Sequence, residues 1–119
     1  MYLLVNVLEQ TQHLSDILEG FAQIGIKGST VINSTGMGRV LMETRASSAV
    51  AQHISKIITD LESSNKTIIT VVNDKDVLDK AIAIVKSFCG DLCEPGKGIL
   101  FACPLEVVEG FQEADGFAH

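Results

Sequence analysis

The stretch that decides the fold is residues 21–39, which read FAQIGIKGSTVINSTGMGR. The helical spacing of apolar residues stops just before Gly25. The residue that follows a helix C-terminus commonly takes a positive φ, and glycine is the residue expected there. The β-branched residues Val31 and Ile32 then suit a pleated sheet better than a helix. We therefore predict the end of a helix, a glycine turn and a strand from residue 29 to about residue 41.

A pair of glycines closes this stretch. Gly36 and Gly38, on either side of Met37, let the backbone approach another group closely, and Arg39 adds a permanent positive charge beside them. Backbone amides next to a guanidinium are one way to hold a phosphate. Most two-glycine motifs are only turns, so the motif alone leaves both interpretations open.

Composition limits the classes of protein that fit. The 119 residues correspond to one domain, 1–119, and 46% hydrophobic with 20% charged residues indicates a folded globular chain. A formal charge of −6 argues against nucleic acid as a partner. Residues 2–8 are apolar but too short to cross a bilayer, and they lack the basic lead-in of a signal peptide. Three cysteines do not make a disulfide framework, so the cytoplasm is the expected location.

The remaining apolar patterns predict three more strands and several helical segments. Thr11 is expected to cap the first helix and residues 73–76 the third, and the acidic tail 110–119 is expected to be loosely held. Only Asn6 interrupts the first strand, which predicts that both of its faces are covered. The predicted strands are 2–8, 66–72 and 99–103, and the predicted helices are 14–24, 49–61, 77–88 and a short piece at 104–108.

This order predicts an α+β fold in which one sheet carries helices on one face. Split βαβ units of this kind form a ferredoxin-like βαββαβ sandwich. Here a helical insert, residues 40–65, lies between the second and third strands.

Four pieces of the chain together resemble the PII nitrogen-regulatory signalling proteins. Residues 21–31 and 36–39 are similar to the first half of that family, and residues 66–72 and 96–104 (GKGILFACP) to the second half. The resemblance runs from about residue 14 to residue 104, except for the insert. It implies a ferredoxin-like domain in a compact homotrimer whose inter-subunit clefts hold ATP or ADP. It also implies a long loop between the second and third strands that engages partner proteins.

The resemblance assigns two nucleotide-binding segments. The first comprises Thr30, Gly36, Met37, Gly38 and Arg39, and the second comprises Gly96, Lys97 and Gly98.

The chain departs from the family at several charged or polar positions. Val40 replaces the glutamine that helps hold magnesium and 2-oxoglutarate, and a valine cannot ligate a metal. Ile99 replaces a lysine, while Gly110 and Gln112 stand where two arginines are expected. The modified tyrosine of the family loop is also absent. These losses argue against magnesium and 2-oxoglutarate and favour a less charged effector, such as a monophosphate, among the adenine nucleotides.

The insert 40–65 has two interpretations. It is either a helix whose apolar stripe packs on its own sheet or on a neighbouring subunit, or a partner-binding arm that replaces the family loop. Arg45 and His53 could contribute to recognition in the second case.

The cysteines suggest a further possibility. Cys89 and Cys93 flank a predicted loop and could be inert thiols, a reversible disulfide or two ligands of a metal. Cys103 is predicted to be buried as a small hydrophobe. A metal normally needs three or four ligands, and the three histidines of the chain lie at unrelated places.

The sequence contains no nucleophile, base and orienting group that can be assembled into a catalytic set, so we do not predict an enzyme. Our interpretation is a PII-like trimer that binds a small effector between subunits and signals to a partner protein. The alternatives are a metal-associated trimer of the divalent-cation-tolerance type and a cysteine-based redox sensor on the same scaffold.

Overall fold

The computed structural model describes residues 1–9, 11–37, 40–41, 65–90 and 98–111. The predicted helix 49–61, the tail beyond residue 111 and the side chains of Arg45, His53 and Cys93 lie outside these ranges, as do Gly38, Arg39, Gly96 and Lys97. The described elements are β1 (Tyr2–Leu8), a 3-10 helix (Thr11–His13), α1 (Leu14–Gln23), β2 (Ser29–Ser34), β3 (Asn65–Val72), α2 (Lys75–Cys89) and β4 (Ile99–Pro104).

The four strands form one sheet in the order β2-β3-β1-β4. All three pairings are antiparallel, and the central strand β1 pairs Val5 with Ile69 of β3 and with Phe101 of β4. Two helices and this strand order confirm the predicted ferredoxin-like α+β fold.

The core lies between the sheet and the two helices. Along β1, Leu4 and Leu8 are buried beside Asn6, and the residues between them are half-buried. Ile17 and Phe21 of α1 are buried against this face, as the helical spacing predicted. Successive strand residues point to opposite faces, and α1 and α2 pack on the face of β1 that carries Leu4 and Leu8. Neither of these two helices covers the opposite face, so the prediction that both faces of β1 are covered stays a prediction.

The second strand is shorter than predicted. β2 ends at Ser34, whereas Met37, Val40 and Leu41 are helical. The Val40 N–H donates to the carbonyl of Gly36 at 3.2 Å, which is the bond of an α-helical turn. Ser34 pairs with Asn65, the first residue of β3, so residues beyond Ser34 have no β3 residue left to pair with.

The end of the last strand also differs from the prediction. Pro104 is not the start of a helix but the last residue of β4, paired with Tyr2. The Leu105 N–H continues the ladder by donating to the carbonyl of Met1 at 2.9 Å. Residues 105–111 follow as a non-helical segment.

Two of the three predicted helix-end features are confirmed. The Asp74 carboxylate caps α2 by accepting the Val77 N–H at 2.9 Å, and Gly25 follows α1 with a φ of 93°. Thr11, however, opens the 3-10 helix, and the N-cap of α1 is His13, whose side chain makes no capping bond.

Candidate functional site

The described members of the two glycine segments lie on or beside the edge strands of the sheet. Thr30 is an exposed residue of β2 that pairs with Ile69, and Gly36 and Met37 follow the same strand. Gly98 immediately precedes β4. The structure therefore describes four of the eight predicted binding residues and assigns them to opposite edges of one sheet.

Both segments nevertheless lie at the same end of the sheet. β2 ends at Ser34 where β3 begins at Asn65, and β1 ends at Leu8 where β4 begins at Ile99. Two strands, β3 and β1, separate the edges. At about 4.8 Å per strand, the edges are about 14 Å apart. Within one chain the two segments are thus aligned along the sheet but separated across it.

The fold requires glycine at one of the two described positions, Gly98, and not at the other, Gly36. Gly98 has a φ of 103°, and a Cβ there would lie 2.0 Å from the carbonyl oxygen of Val7. The fold itself therefore demands glycine at this position. Among the described residues, a Cβ on Gly36 would meet Asn65 Nδ2 alone, at an ordinary 3.6 Å. Packing against the described part of the chain therefore does not explain the glycine at position 36.

A cavity of about 280 Å³ opens at the other end of β2. Lys27 and Gly28, which lead into β2, line it together with Val71 of β3. The non-helical segment after β4 closes it with Val108 and the following three residues, ending at Phe111. A smaller cavity of about 80 Å³ shares Lys27, Val71 and Phe111 with it. The charged residues of the larger wall are Lys27 and Glu109, whose formal charges cancel.

A family model described as nitrogen regulatory protein P-II matches residues 2–114. The chain belongs to the P-II (PII) nitrogen regulatory protein family. None of the curated proteins matches the chain. The PII match extends across residues 40–65, so the insert is part of the matched region. PII proteins are regulatory proteins, typically trimers that signal to partners, and this chain is a PII-like regulatory protein.

The cavity contributes wall residues that sequence reasoning missed in this PII chain. Lys27 and Val71 were read only as parts of a turn and a strand, and Phe111 was placed in a loose tail. The signal that could have identified them is their position, since Lys27 lies two residues before β2 and Val71 is the next-to-last residue of β3. Phe111, by contrast, follows a bend at Gly110, whose φ is 85°.

The described cysteines of this PII protein are not where the sequence predicted. Cys89 is the last residue of α2, not a loop residue, and it is only 2% exposed because it continues the buried stripe of Ala81 and Val85. Cys103 is exposed. It pairs with Leu3 on the face of the sheet opposite to α1 and α2, so neither of these helices buries it.

The described part of the chain contains no group of three His, Cys, Asp or Glu side chains that could hold a metal ion. The pKa of Lys75 is raised by its hydrogen bond to Asp79 (2.8 Å), a pair on the exposed surface of α2. No described helix is long and apolar enough to cross a membrane.

Proposed function

We propose that this PII protein is a cytoplasmic homotrimer that binds an adenine nucleotide of low charge between subunits and reports its presence to a partner protein. The positions of Gly36 and Gly98 carry this proposal. Both flank the same end of the sheet, yet two strands separate them. The two segments can contact the same ligand most simply if each segment comes from a different subunit.

The face of the sheet opposite to α1 and α2 supplies the surface for such an assembly. Val5, Ile69 and Phe101 form one row across it, and Phe101 is 49% exposed. The next row places Ile99 beside Val7. Contiguous apolar surface of this kind marks a protein–protein contact. Trimer formation would remove it from water and would bring the edge strands of different chains together.

The proposed ligand lies along β2. Its phosphate would lie near Gly36, and its sugar and base would extend from there along the strand. The six residues of β2 span about 20 Å, which is longer than a nucleoside monophosphate or diphosphate, so one such ligand would not reach from Gly36 to the cavity beside Lys27 and Val71. Thr30, the second residue of β2, lies nearer to that cavity. The proposal assigns the phosphate to the backbone of residues 36–38 and to Arg39, with Lys97 and Gly98 of a neighbouring subunit opposite.

The charges favour a monophosphate or diphosphate over a magnesium-bound triphosphate. Val40 and Ile99 stand where the family resemblance implies polar or basic residues that hold metal or phosphate. Each uncompensated phosphate charge in a partly buried cleft is costly. The insert 40–65 is then the proposed arm that engages the partner protein.

Titration calorimetry of the full chain with AMP, ADP and ATP, with and without magnesium, tests the proposal. We expect one site per subunit, tighter binding of AMP or ADP than of ATP, and no dependence on magnesium. Tight ATP binding that requires magnesium would contradict the charge argument. Absence of binding by all three nucleotides would contradict the assignment of the effector.

A further inference from the structure

A groove of about 430 Å³ lies between α1 and α2, on the helical side of the domain. Asp16, Glu19 and Gln23 of α1 line one wall, and Ile84 and Phe88 of α2 line the other. The groove belongs to neither glycine segment nor to the sheet face proposed for assembly.

Gly20 explains why the groove exists. A Cβ on Gly20 would lie 2.9 Å from Ile84 Cγ2, so the two helices pack closely at this point. The missing side chain leaves Ile84 half-buried at the base of the groove. Small residues at a helix crossing permit close backbone approach, and the neighbouring larger side chains then form the walls.

Phe88 gives the groove an exposed aromatic wall. Its side chain is 39% exposed, although the helical pattern predicted that it shares the buried face of α2. The His13 ring stacks on it with centroids 5.8 Å apart and an interplanar angle of 29°. One side of the Phe88 ring therefore contacts His13, and the rest of the side chain is partly exposed to solvent. Exposed aromatic side chains often contribute strongly to binding a partner.

The described residues of the groove wall carry negative charge. Asp16 and Glu19 are exposed, one turn apart on α1, and no lysine or arginine is among the described residues that line the groove. The nearest basic group of Asp16 among the described residues is His13, whose Nδ1 lies 3.9 Å from an Asp16 carboxylate oxygen. On α2, Lys80 is already paired with Asp76 at 3.0 Å.

We propose that this groove docks a basic amphipathic helix of a partner protein. An apolar side chain of that helix would contact Ile84 and Phe88, and lysine or arginine residues within one turn of it would face Asp16 and Glu19. Charge selects this occupant. A second copy of the chain would bring the same acidic groove and a net charge of −6, and anionic membranes or nucleic acids would be repelled as well. Grooves with apolar floors commonly receive amphipathic helices in this way.

A synthetic amphipathic peptide of leucine and lysine, 14 residues long, is the probe, and the same peptide with glutamate in place of lysine is its control. Fluorescence anisotropy with the full chain should show binding of the lysine peptide only. Glu19→Lys should weaken that binding about tenfold, because it turns an attraction into a repulsion. Glu106→Lys makes the same charge change at an exposed residue after β4 and should alter binding less than about twofold.

The apolar contribution needs its own pair of variants. Phe88→Ser should weaken peptide binding, whereas Val107→Ser, at a 76% exposed apolar residue outside the groove, should not. Circular dichroism of each variant checks that α1 and α2 remain folded, and chemical-shift mapping on the unmodified chain locates the peptide independently of any variant. Equal weakening by Glu19→Lys and Glu106→Lys, or shifts outside the groove, would overturn the proposal. Binding of the glutamate peptide would overturn it as well.

Discussion

The backbone of Val7 leaves no room for a side chain on Gly98. A Cβ on Gly98 would lie 2.0 Å from the Val7 carbonyl oxygen and 3.4 Å from the Glu9 amide nitrogen. Real Cβ atoms do not approach a backbone oxygen this closely, and the φ of 103° is unfavourable for any L side chain. The last residue of the second glycine segment therefore also fixes where β4 begins against β1.

Gly98→Ala should destabilise the fold. Strain at a positive φ combined with a backbone clash should lower the free energy of unfolding by about 2–4 kcal/mol. Urea denaturation of this variant beside Gly28→Ala makes the measurement, since a Cβ on Gly28 meets nothing within 4 Å. Similar stabilities for the two variants would show that β4 can shift away from Val7 at little cost.

Gly36→Ala should behave in the opposite way. Its Cβ would make an ordinary 3.6 Å contact with Asn65, so the free energy of unfolding should change by less than about 1 kcal/mol. If Gly36 serves close approach to a phosphate, nucleotide affinity should fall clearly. Calorimetry and urea denaturation on the same preparation separate the two effects. A loss of stability without a loss of affinity would mean that Gly36 serves only the turn before Val40.

Arg39→Ala should weaken binding of AMP or ADP by about 1.5–3 kcal/mol, the scale of a charge-assisted hydrogen bond. Lys86→Ala removes a positive charge from the exposed surface of α2 and should leave the affinity unchanged. Titration calorimetry provides both values. Unchanged binding by the Arg39→Ala protein would remove Arg39 from the proposed site.

Asn6→Leu should stabilise the protein. Asn6 is 1% exposed, and neither polar atom of its amide has a hydrogen-bond partner in the described part of the chain. Leucine has the same branching and the same number of side-chain heavy atoms, so it removes this desolvation cost and should raise the free energy of unfolding by about 1–3 kcal/mol.

The matched control for that variant is Thr70→Val. Thr70 is also buried, but its hydroxyl shares a 2.8 Å hydrogen bond with Ser29. Losing this bond should lower stability by about 1 kcal/mol. Destabilisation by Asn6→Leu would show that the amide has a partner that matters in the assembled protein.

Assembly is tested with one substitution on each side of the domain. Phe101→Asp places a charge on the sheet face proposed for the trimer, and Phe88→Asp places one on the helical side, at an aromatic residue that is also partly exposed. Sedimentation equilibrium should find a trimer for the unmodified chain and for Phe88→Asp, and a smaller species for Phe101→Asp. A monomeric unmodified chain at micromolar concentration would contradict the proposed assembly.

A Cys89–Cys93 disulfide, one of the three interpretations that the sequence left open, should form only when the end of α2 opens, because the Cys89 side chain is buried. A bond that closes so short a loop gains little entropy and should be easily reduced. Thiol counting across redox buffers, with circular dichroism to follow α2, makes the test. If both cysteines stay reduced in the most oxidising buffers, the pair does not act as a redox switch.

Local features of this protein are determined by a few neighbouring residues. The stripe of Ile17 and Phe21 encodes α1, Gly25 encodes the turn after it, and Asp74 encodes the start of α2. Each depends on contacts or backbone angles within about one helical turn, and periodicity and capping rules describe interactions at that range. Runs of apolar and β-branched residues also predicted the four strands in their order along the chain.

Only the tertiary structure decided features that depend on a distant partner. β2 ends at Ser34 because β3 begins opposite it at Asn65, and Pro104 belongs to β4 because Tyr2 pairs with it. Cys103 is exposed because its pairing with Leu3 places it on the sheet face opposite to α1 and α2, and Gly98 must be glycine because Val7 lies against it. In each case the deciding group lies at least 30 positions away in the sequence, where no local pattern reports its presence.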